Sequence, residues 1–287
     1  MYSEIASTIK TAISDYTAAN CREELWGEPV MALLSAYDKR LKTLRQTVSP
    51  DHAMPDDILP GAGSIVVFFI PLSGNIISSN ISGIMASPEW ALAYVKTNDL
   101  IGKINDAIEA LMTENGYKSG KIPATHNFNK DTLISNWSHR HIAAIAGLGT
   151  FGLNNMLITK KGCCGRLGSM VTDYQLPEGQ MFKLKGGVPV CSPEFSFSDD
   201  IFAAGERCLN KLNGSCGVCR KKCVADAYSE TGFDRHKCYK QCLRNADYLK
   251  ESGLASPADV CGKCLVGLPC SVKAPLYVSV DHSGGLA

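Results

Sequence analysis

An α/β fold with a cysteine-rich C-terminal part is the class this sequence predicts, and three observations carry it. Ile65 to Ile70 is six continuous apolar residues, β-branched and aromatic, stopped by Pro71, which reads as a buried central strand. Leu100, Ile101, Ile104, Ala107, Ile108, Leu111 and Met112 follow the i, i+3, i+4, i+7 rule, and Asn115-Gly116 closes their helix. From about Ser196 the composition turns to cysteine, lysine and short helices, which divides the chain into 1–195 and 196–287. A length of 287 residues suits one sizeable domain plus a small one, and 45% hydrophobic residues suffice for a proper core.

The remaining elements are read in order. Residues 3–20 and 30–43 read as helices, and the turn formers at Ser49-Pro50 and from Pro55 to Gly63 connect them to the strand. A further helix is predicted over 132–146, with strands at 156–159 and 169–172. A net charge of +1 supplies no field that would draw the chain to nucleic acid or an anionic membrane. No apolar run approaches the roughly 18 residues that span a bilayer. Glu4, Lys10 and Asp15 interrupt the first twenty residues, so a secretory core is not expected and a reducing cytoplasm is.

The cysteines carry the chemistry. Cys208, Cys216, Cys219, Cys223, Cys238, Cys261, Cys264 and Cys270 lie in one stretch, with Cys242 as an uncommitted ninth. Cys216-x2-Cys219-x3-Cys223 resembles part of the run that holds a cubane in bacterial ferredoxins, and Cys261-x2-Cys264-x5-Cys270 repeats the theme. In two-cluster ferredoxins the last cysteine of each run ligates the other cluster. That rule assigns Cys208, Cys216, Cys219 and Cys270 to one [4Fe–4S] cluster, and Cys223, Cys238, Cys261 and Cys264 to a second. Two structural zinc sites are the competing assignment, because two Cys-x2-Cys pairs also suit tetrahedral thiolate coordination. Labile clusters suit an anaerobe.

A second informative stretch runs from Trp137-Ser138-His139-Arg140-His141 into Ala146-Gly147-Leu148-Gly149-Thr150-Phe151-Gly152. Gly147-x-Gly149-x-x-Gly152 matches the dinucleotide fingerprint, with Asp173 about twenty residues on. That fingerprint needs a strand before it and a helix after it, the reverse of the order read here. The glycines are then read as letting the backbone approach a large flat or anionic ligand, or as a structural turn.

Arg140, the 146–152 loop, Leu157-Ile158-Thr159 and Leu167-Gly168-Ser169 resemble the central block of the epoxyqueuosine reductase family. Gly214-Ser215-Cys216-Gly217-x-Cys219 and Cys261-Gly262-x-Cys264 resemble its ferredoxin-like part. The resemblance covers roughly residues 60–275 and extends to the related reductive dehalogenases. It implies a nitroreductase-like corrinoid-binding domain followed by a small ferredoxin-like domain with two [4Fe–4S] clusters, which pass electrons to cobalamin or a related corrinoid. It places Arg140, Gly147, Leu148, Gly149, Thr150, Phe151, Gly152, Asn154, Arg166 and Ser169 near that corrinoid. It also aligns Cys238, rather than Cys242, with a ligand to the second cluster. The family's catalytic aspartate aligns with Leu133, two residues from Asp131, and of its Pro-x-x-Glu-Arg signature only Arg140 remains. The chain ends soon after the second cysteine run, so the helical repeat that helps hold tRNA is not expected, nor is tRNA as partner.

These readings predict an iron–sulfur, corrinoid-dependent oxidoreductase acting on a small molecule. A low-potential ferredoxin or flavodoxin would supply electrons, docking at Arg220-Lys221-Lys222 if that run is more than a solvated face. The alternative is an electron-transfer protein that re-reduces the corrinoid of another protein. His139, His141 and Asp131 are the leading candidates for a proton donor, with His126 and Tyr174 behind them. Cys163 and Cys164 are read as packing residues, or one of them as a thiol facing the pocket. Cys21 and Cys191 carry no signal.

Overall fold

The computed structural model describes residues 1–123, 128–177, 206–230, 232–254 and 256–275, and two further strands in backbone alone. Helix α1 (Tyr2–Asn20) buries Tyr2, Ile5, Ile9 and Tyr16 along one stripe. Residues 30–35, predicted as helix, form strand β1 (Val30–Ser35). Met31, Ala32, Leu33 and Leu34 are adequate helix formers in isolation. The antiparallel register Val30↔Phe69 through Ser35↔Ser64 gives them a partner that local propensity does not reveal. The helical remainder is a 3-10 turn (Lys39–Thr43), capped by the Asp38 carboxylate on the Arg40 N–H, and then α2 (Leu44–Thr47).

A single turn, α3 (Pro55–Ile58), leads to strand β2 (Ser64–Pro71), buried along its whole length. After α4 (Gly74–Ser79), helix α5 (Pro88–Glu114) begins where the Ser87 side chain accepts the Trp90 N–H. It ends at Asn115, followed by Gly116 at φ 80. Strand β3 (Ser119–Lys121) follows, then a hairpin of β4 (Phe128–Asn129) and β5 (Ile134–Ser135). Here too a predicted helix gives way. The Asn129 carboxamide accepts the N–H groups of Asp131 (2.9 Å) and Thr132 (3.0 Å), and Leu133 takes φ 54, so the chain turns back. Helix α6 (His139–Ile145) starts only at its Ser138 cap.

Strands β6 (Gly149–Phe151) and β7 (Leu157–Thr159) form a second hairpin before β8 (Gly165–Thr172). β9 (Met181–Lys183) pairs with β10 (Pro189–Cys191). The tail holds the short helices α7 (Leu209–Asn213) and α8 (Val218–Lys221), the pair β11 (Tyr228–Ser229) and β12 (Gly232–Phe233), and helix α9 (Arg235–Glu251).

The main sheet has the order β1-β2-β8-β3 with every neighbour antiparallel, so the fold is mixed α/β. Val66, Phe68 and Ile70 pack toward α1 and α5, whereas Ile65, Val67 and Phe69 pack toward α6 and Trp137. Both faces are covered, which is why β2 reads as an unbroken apolar run. Leu249, Ala258 and Val266 of the tail join the α1/α5 side. The boundary predicted at 195/196 falls outside the described residues.

The tail is also tied to the sheet through backbone. Cys163 donates its N–H to the Cys270 carbonyl (2.9 Å) and Cys164 to that of Ser271 (3.1 Å). Gly162 makes this approach possible: it sits at φ +77, and a Cβ there would collide with the Ser271 carbonyl. Gly162→Ala should therefore cost roughly 1–3 kcal/mol and lower the melting temperature. An unchanged melting curve for this variant would show that the tail is not clamped at this point.

Candidate functional site

Eight of the tail's cysteines fall into two groups of four. Cys208, at the start of α7, shares a hollow with Cys216, Cys219 and Cys270, walled by Gly152, Asn154 and Ile158 of the β6–β7 hairpin. Burial pushes the Cys219 thiol up to about 11, and the neighbouring Cys270, Cys208 and Cys216 add to the rise. Cys223, Cys238, Cys261 and Cys264 stand together in the second group, and Cys242 joins it through Cys238 and Cys261. Burial holds the Cys264 thiol up at about 12, again helped by Cys238, Cys261 and Cys223. Cys238 sits in the first turn of α9, and Cys242, one turn on, engages its thiol. All eight are free thiols. Among the described residues no three His, Cys, Asp or Glu side chains close on a point suited to a single metal ion.

The glycine segment serves the first group. Buried Arg207 donates from Nη1 to the carbonyls of Leu148 and Ile158, each at 3.1 Å. The Arg207 N–H reaches Thr150 Oγ1 (3.1 Å), and the Cys208 N–H reaches Glu206 Oε1 (2.9 Å). Asn154 donates to the Cys264 carbonyl (2.9 Å) and Tyr228 donates to that of Asn154 (3.2 Å), which links the two groups. Gly149 and Gly152 are close-packed against Ile158 and Asn154, and Gly147 takes φ +82 just after α6. Their smallness fits the close packing of the hairpin and the turn. The sequence order argued against a dinucleotide fingerprint, and the structure has helix α6 before the glycines and strand β7 after them.

A cavity of about 340 Å³ lies beside both groups. Phe69, Trp90, Tyr94 and Trp137 give it aromatic walls, and His139, Arg140 and Arg166 line it with an imidazole and two guanidinium groups. Cys163 lines it as well, and its thiol bonds with that of Cys270 in the first group. Gly262 and Leu265, next in sequence to Cys261 and Cys264, complete that side. The hollow is therefore one residue away from each set of thiols.

The predicted proton donors divide sharply. Asp131 lies exposed at the tip of the β4–β5 hairpin and does not line the cavity. His139 does line it, inside a chain in which Trp137 Nε1 donates to Ser169 Oγ (3.0 Å) and Ser169 pairs with His139 Nδ1 (2.8 Å). Its other ring nitrogen lies 3.2 Å from the Pro123 carbonyl. Ser169, expected at a ligand, is spent in this chain. His141 pairs with Ser138 Oγ (2.7 Å), and its ring lies against Phe151. Burial lowers both His139 and His141 to about 4, so at neutral pH neither is an imidazolium acid. Tyr174 packs on Tyr117 away from the cavity, and His126 lies outside the described residues.

Of the residues expected at a corrinoid, Arg140 and Arg166 line the cavity, whereas Leu148 is buried in the core and Thr150 and Phe151 lie in β6. Arg140 donates to the Asn155 carbonyl (2.7 Å). Arg166 donates to Asn98 Oδ1 (2.6 Å) and lies 4.4 Å over the Tyr94 ring. Arg220 and Lys221 face solvent, and Lys222 is half-buried beside Gly267. Sequence reasoning missed Trp90, Tyr94 and His52. The last accepts the Ser138 N–H (3.0 Å) and stacks on Trp137. The Ser87-Pro88 start signal was the available clue to the first two.

Histidine protonation makes stability pH-dependent with a definite sign. The unfolded chain takes up protons on these rings near 6.5, the folded chain only near 4, so stability is full above 6.5 and is lost as pH falls toward 4. The melting temperature should drop between pH 6.5 and 4.5, and His139→Gln should flatten that slope. A slope unchanged by the substitution would contradict the assignment.

No protein-family model and no curated protein matches the chain. Solved structures do. A selenomethionine-labelled epoxyqueuosine reductase matches at 16% identity and TM-score 0.48, over 93% of this chain and 66% of the other. The enzyme from Bacillus subtilis matches at 14% identity and TM-score 0.45, over 84% and 58%. That from Streptococcus thermophilus matches at 15% identity and TM-score 0.44, over 94% and 69%. The chain thus spans less than two thirds of the length of the first two. Over most of its own length it is similar to solved epoxyqueuosine reductases.

Proposed function

We propose that this chain is an iron–sulfur oxidoreductase in which two [4Fe–4S] clusters deliver single electrons to a small molecule in the cavity. Cys208, Cys216, Cys219 and Cys270 would hold the first cluster, and Cys223, Cys238, Cys261 and Cys264 the second. The observation that carries this reading is the crossed grouping of the thiols. Cys223, last of its run, stands with Cys261 and Cys264, while Cys270, last of the other run, stands with Cys216 and Cys219. That exchange is the ferredoxin pattern. Zinc, whose thiolates lie about 2.3 Å from a common centre, is the competing occupant of either set.

In this reading residues 196–287 form the ferredoxin-like part and residues 1–195 the nitroreductase-like body that shapes the cavity. The clusters supply one-electron reduction, at potentials set by burial and by hydrogen bonds to sulfur. The chain's own residues do the rest. The aromatic walls exclude water and orient the substrate, and Arg140 and Arg166 offer positive charge. His139, neutral and held by Ser169, keeps its side of the cavity fixed. Arg220 and Lys221 offer an exposed dock for an acidic ferredoxin or flavodoxin.

A corrinoid fits these residues less well. Only Arg140 and Arg166 of its expected contacts line the cavity, and the glycines that would admit a flat macrocycle are packed against β7 and Asn154. No step of the proposed reaction runs through one. The cavity favours a reductase over a pure electron carrier, which would have no use for a ring-lined hollow. Among the described residues no helix is long and apolar enough to cross a membrane.

Anaerobically purified protein should contain about eight iron and eight sulfide per chain. Cys216→Ser and Cys223→Ser lie on one run, yet each should remove about half the iron and abolish a different electron paramagnetic resonance signal. Zinc without iron, or loss of the same signal in both variants, would overturn the reading. Stoichiometric cobalt in the same preparation would bring the corrinoid back.

A further inference from the structure

Each set of four has a further thiol against it. Cys163 touches Cys270 in the first set, and Cys242 touches Cys238 in the second. Cys163 stands in the more telling place. It is 3% exposed, packs with Ile158, Cys208 and Cys270, and also lines the cavity. Its N–H donates to the Cys270 carbonyl at 2.9 Å, so backbone as well as sulfur joins the two residues.

A buried S–H needs an acceptor, and the neighbours of Cys163 leave few. The Leu265 carbonyl lies 3.9 Å from Cys163 Sγ. It already accepts Ser271 Oγ–H at 2.6 Å and Cys164 Sγ–H at 3.1 Å, which uses both of its lone pairs. Two sulfurs remain, those of Cys164 and Cys270. A cysteine that ligates iron does so as a thiolate, so Cys270 then has no proton to give and becomes a charged acceptor. Cys164, whose proton goes to Leu265, offers only a neutral sulfur. Charge-assisted bonds are roughly twice as strong as neutral ones, which directs the Cys163 proton to Cys270.

We infer that Cys163 ligates no iron and instead donates its S–H to the Cys270 ligand sulfur, raising the potential of the first cluster where that thiol set borders the cavity. Uptake of one electron deepens the negative charge on the ligand sulfurs, and a donor to sulfur favours the form that carries more of it. Cys163 therefore acts through Cys270, and what it sets is how readily the first cluster takes its electron. This rests on the reading of two iron–sulfur clusters.

The test is a redox titration of anaerobic, iron-loaded protein with dithionite and mediator dyes. The first cluster is followed by its electron paramagnetic resonance signal, the one that Cys216→Ser removes. Cys163→Ala should keep about eight iron and shift that midpoint to a more negative potential. Cys163→Ser, whose hydroxyl is still a donor, should shift it less, and Cys242→Ala should leave it in place. An unchanged midpoint in Cys163→Ala overturns the inference, as does an equal shift in Cys242→Ala. Loss of half the iron together with the first signal in Cys163→Ala also overturns it, because Cys163 would then be a ligand. The unaltered protein gives a second readout that needs no folded variant. Its reduced-minus-oxidised infrared spectrum, taken across the first midpoint, should show an S–H stretch displaced to lower frequency on reduction. A spectrum with no S–H band at that midpoint contradicts the bond. Iron-free protein is a different failure, that of the two-cluster reading itself.

Discussion

The structure depends on a short backbone seam in which residues 162–164 meet Cys270 and Ser271. Two N–H groups from the approach to β8 enter carbonyls of the second cysteine run, and the φ of Gly162 leaves room for the carbonyl it meets. Buried amides of this kind must be paired, so the seam fixes where the tail can lie. With Cys270 pinned there, the rest of its run curls past Trp90, and Lys263 donates to the carbonyls of Asn80 (2.9 Å) and Ser82 (2.7 Å). The cysteine tail is thus built into the edge of the sheet. That is how both thiol groups come to border one cavity.

Position in the chain and position in space diverge around this seam. The hairpin after α6 looks from sequence like a loop for a ligand, but its carbonyls hold Arg207 and so set the entry of Cys208 into the first group. Asn154 spans both groups, lining the hollow of one and bonding the backbone of the other. The β6–β7 hairpin therefore acts as the frame on which the two sets of thiols keep their separation. Its glycines matter for close packing of that frame.

Local pattern made part of this legible. β2 and the second half of α5 declare themselves because an unbroken apolar run and a 3.6-residue period need no knowledge of distant partners. The crossing of Cys223 and Cys270 was expected from the two-cluster ferredoxin rule applied to the cysteine runs. β1 was not legible, because its strand character comes from β2, whose residues pair with it from Ser35↔Ser64 to Val30↔Phe69 across a long stretch of chain. The helix predicted over 132–146 forms only over its second half, for a local reason that propensity averages miss: one Asn129 side chain captures two amides and turns the chain. The cavity was the least legible feature. Its walls come from β2, α5, α6, β8 and the tail, and Trp90 looks in sequence like any aromatic core residue.

We propose two separate cubanes, held in crossed thiol sets beside one cavity. Anomalous scattering at the iron edge, from crystals of anaerobically prepared protein, tests it most directly. Two distinct iron peaks are predicted, one enclosed by Cys208, Cys216, Cys219 and Cys270 and the other by Cys223, Cys238, Cys261 and Cys264. A single peak, or iron held by an uncrossed set that pairs Cys223 with Cys216 and Cys219, would contradict it.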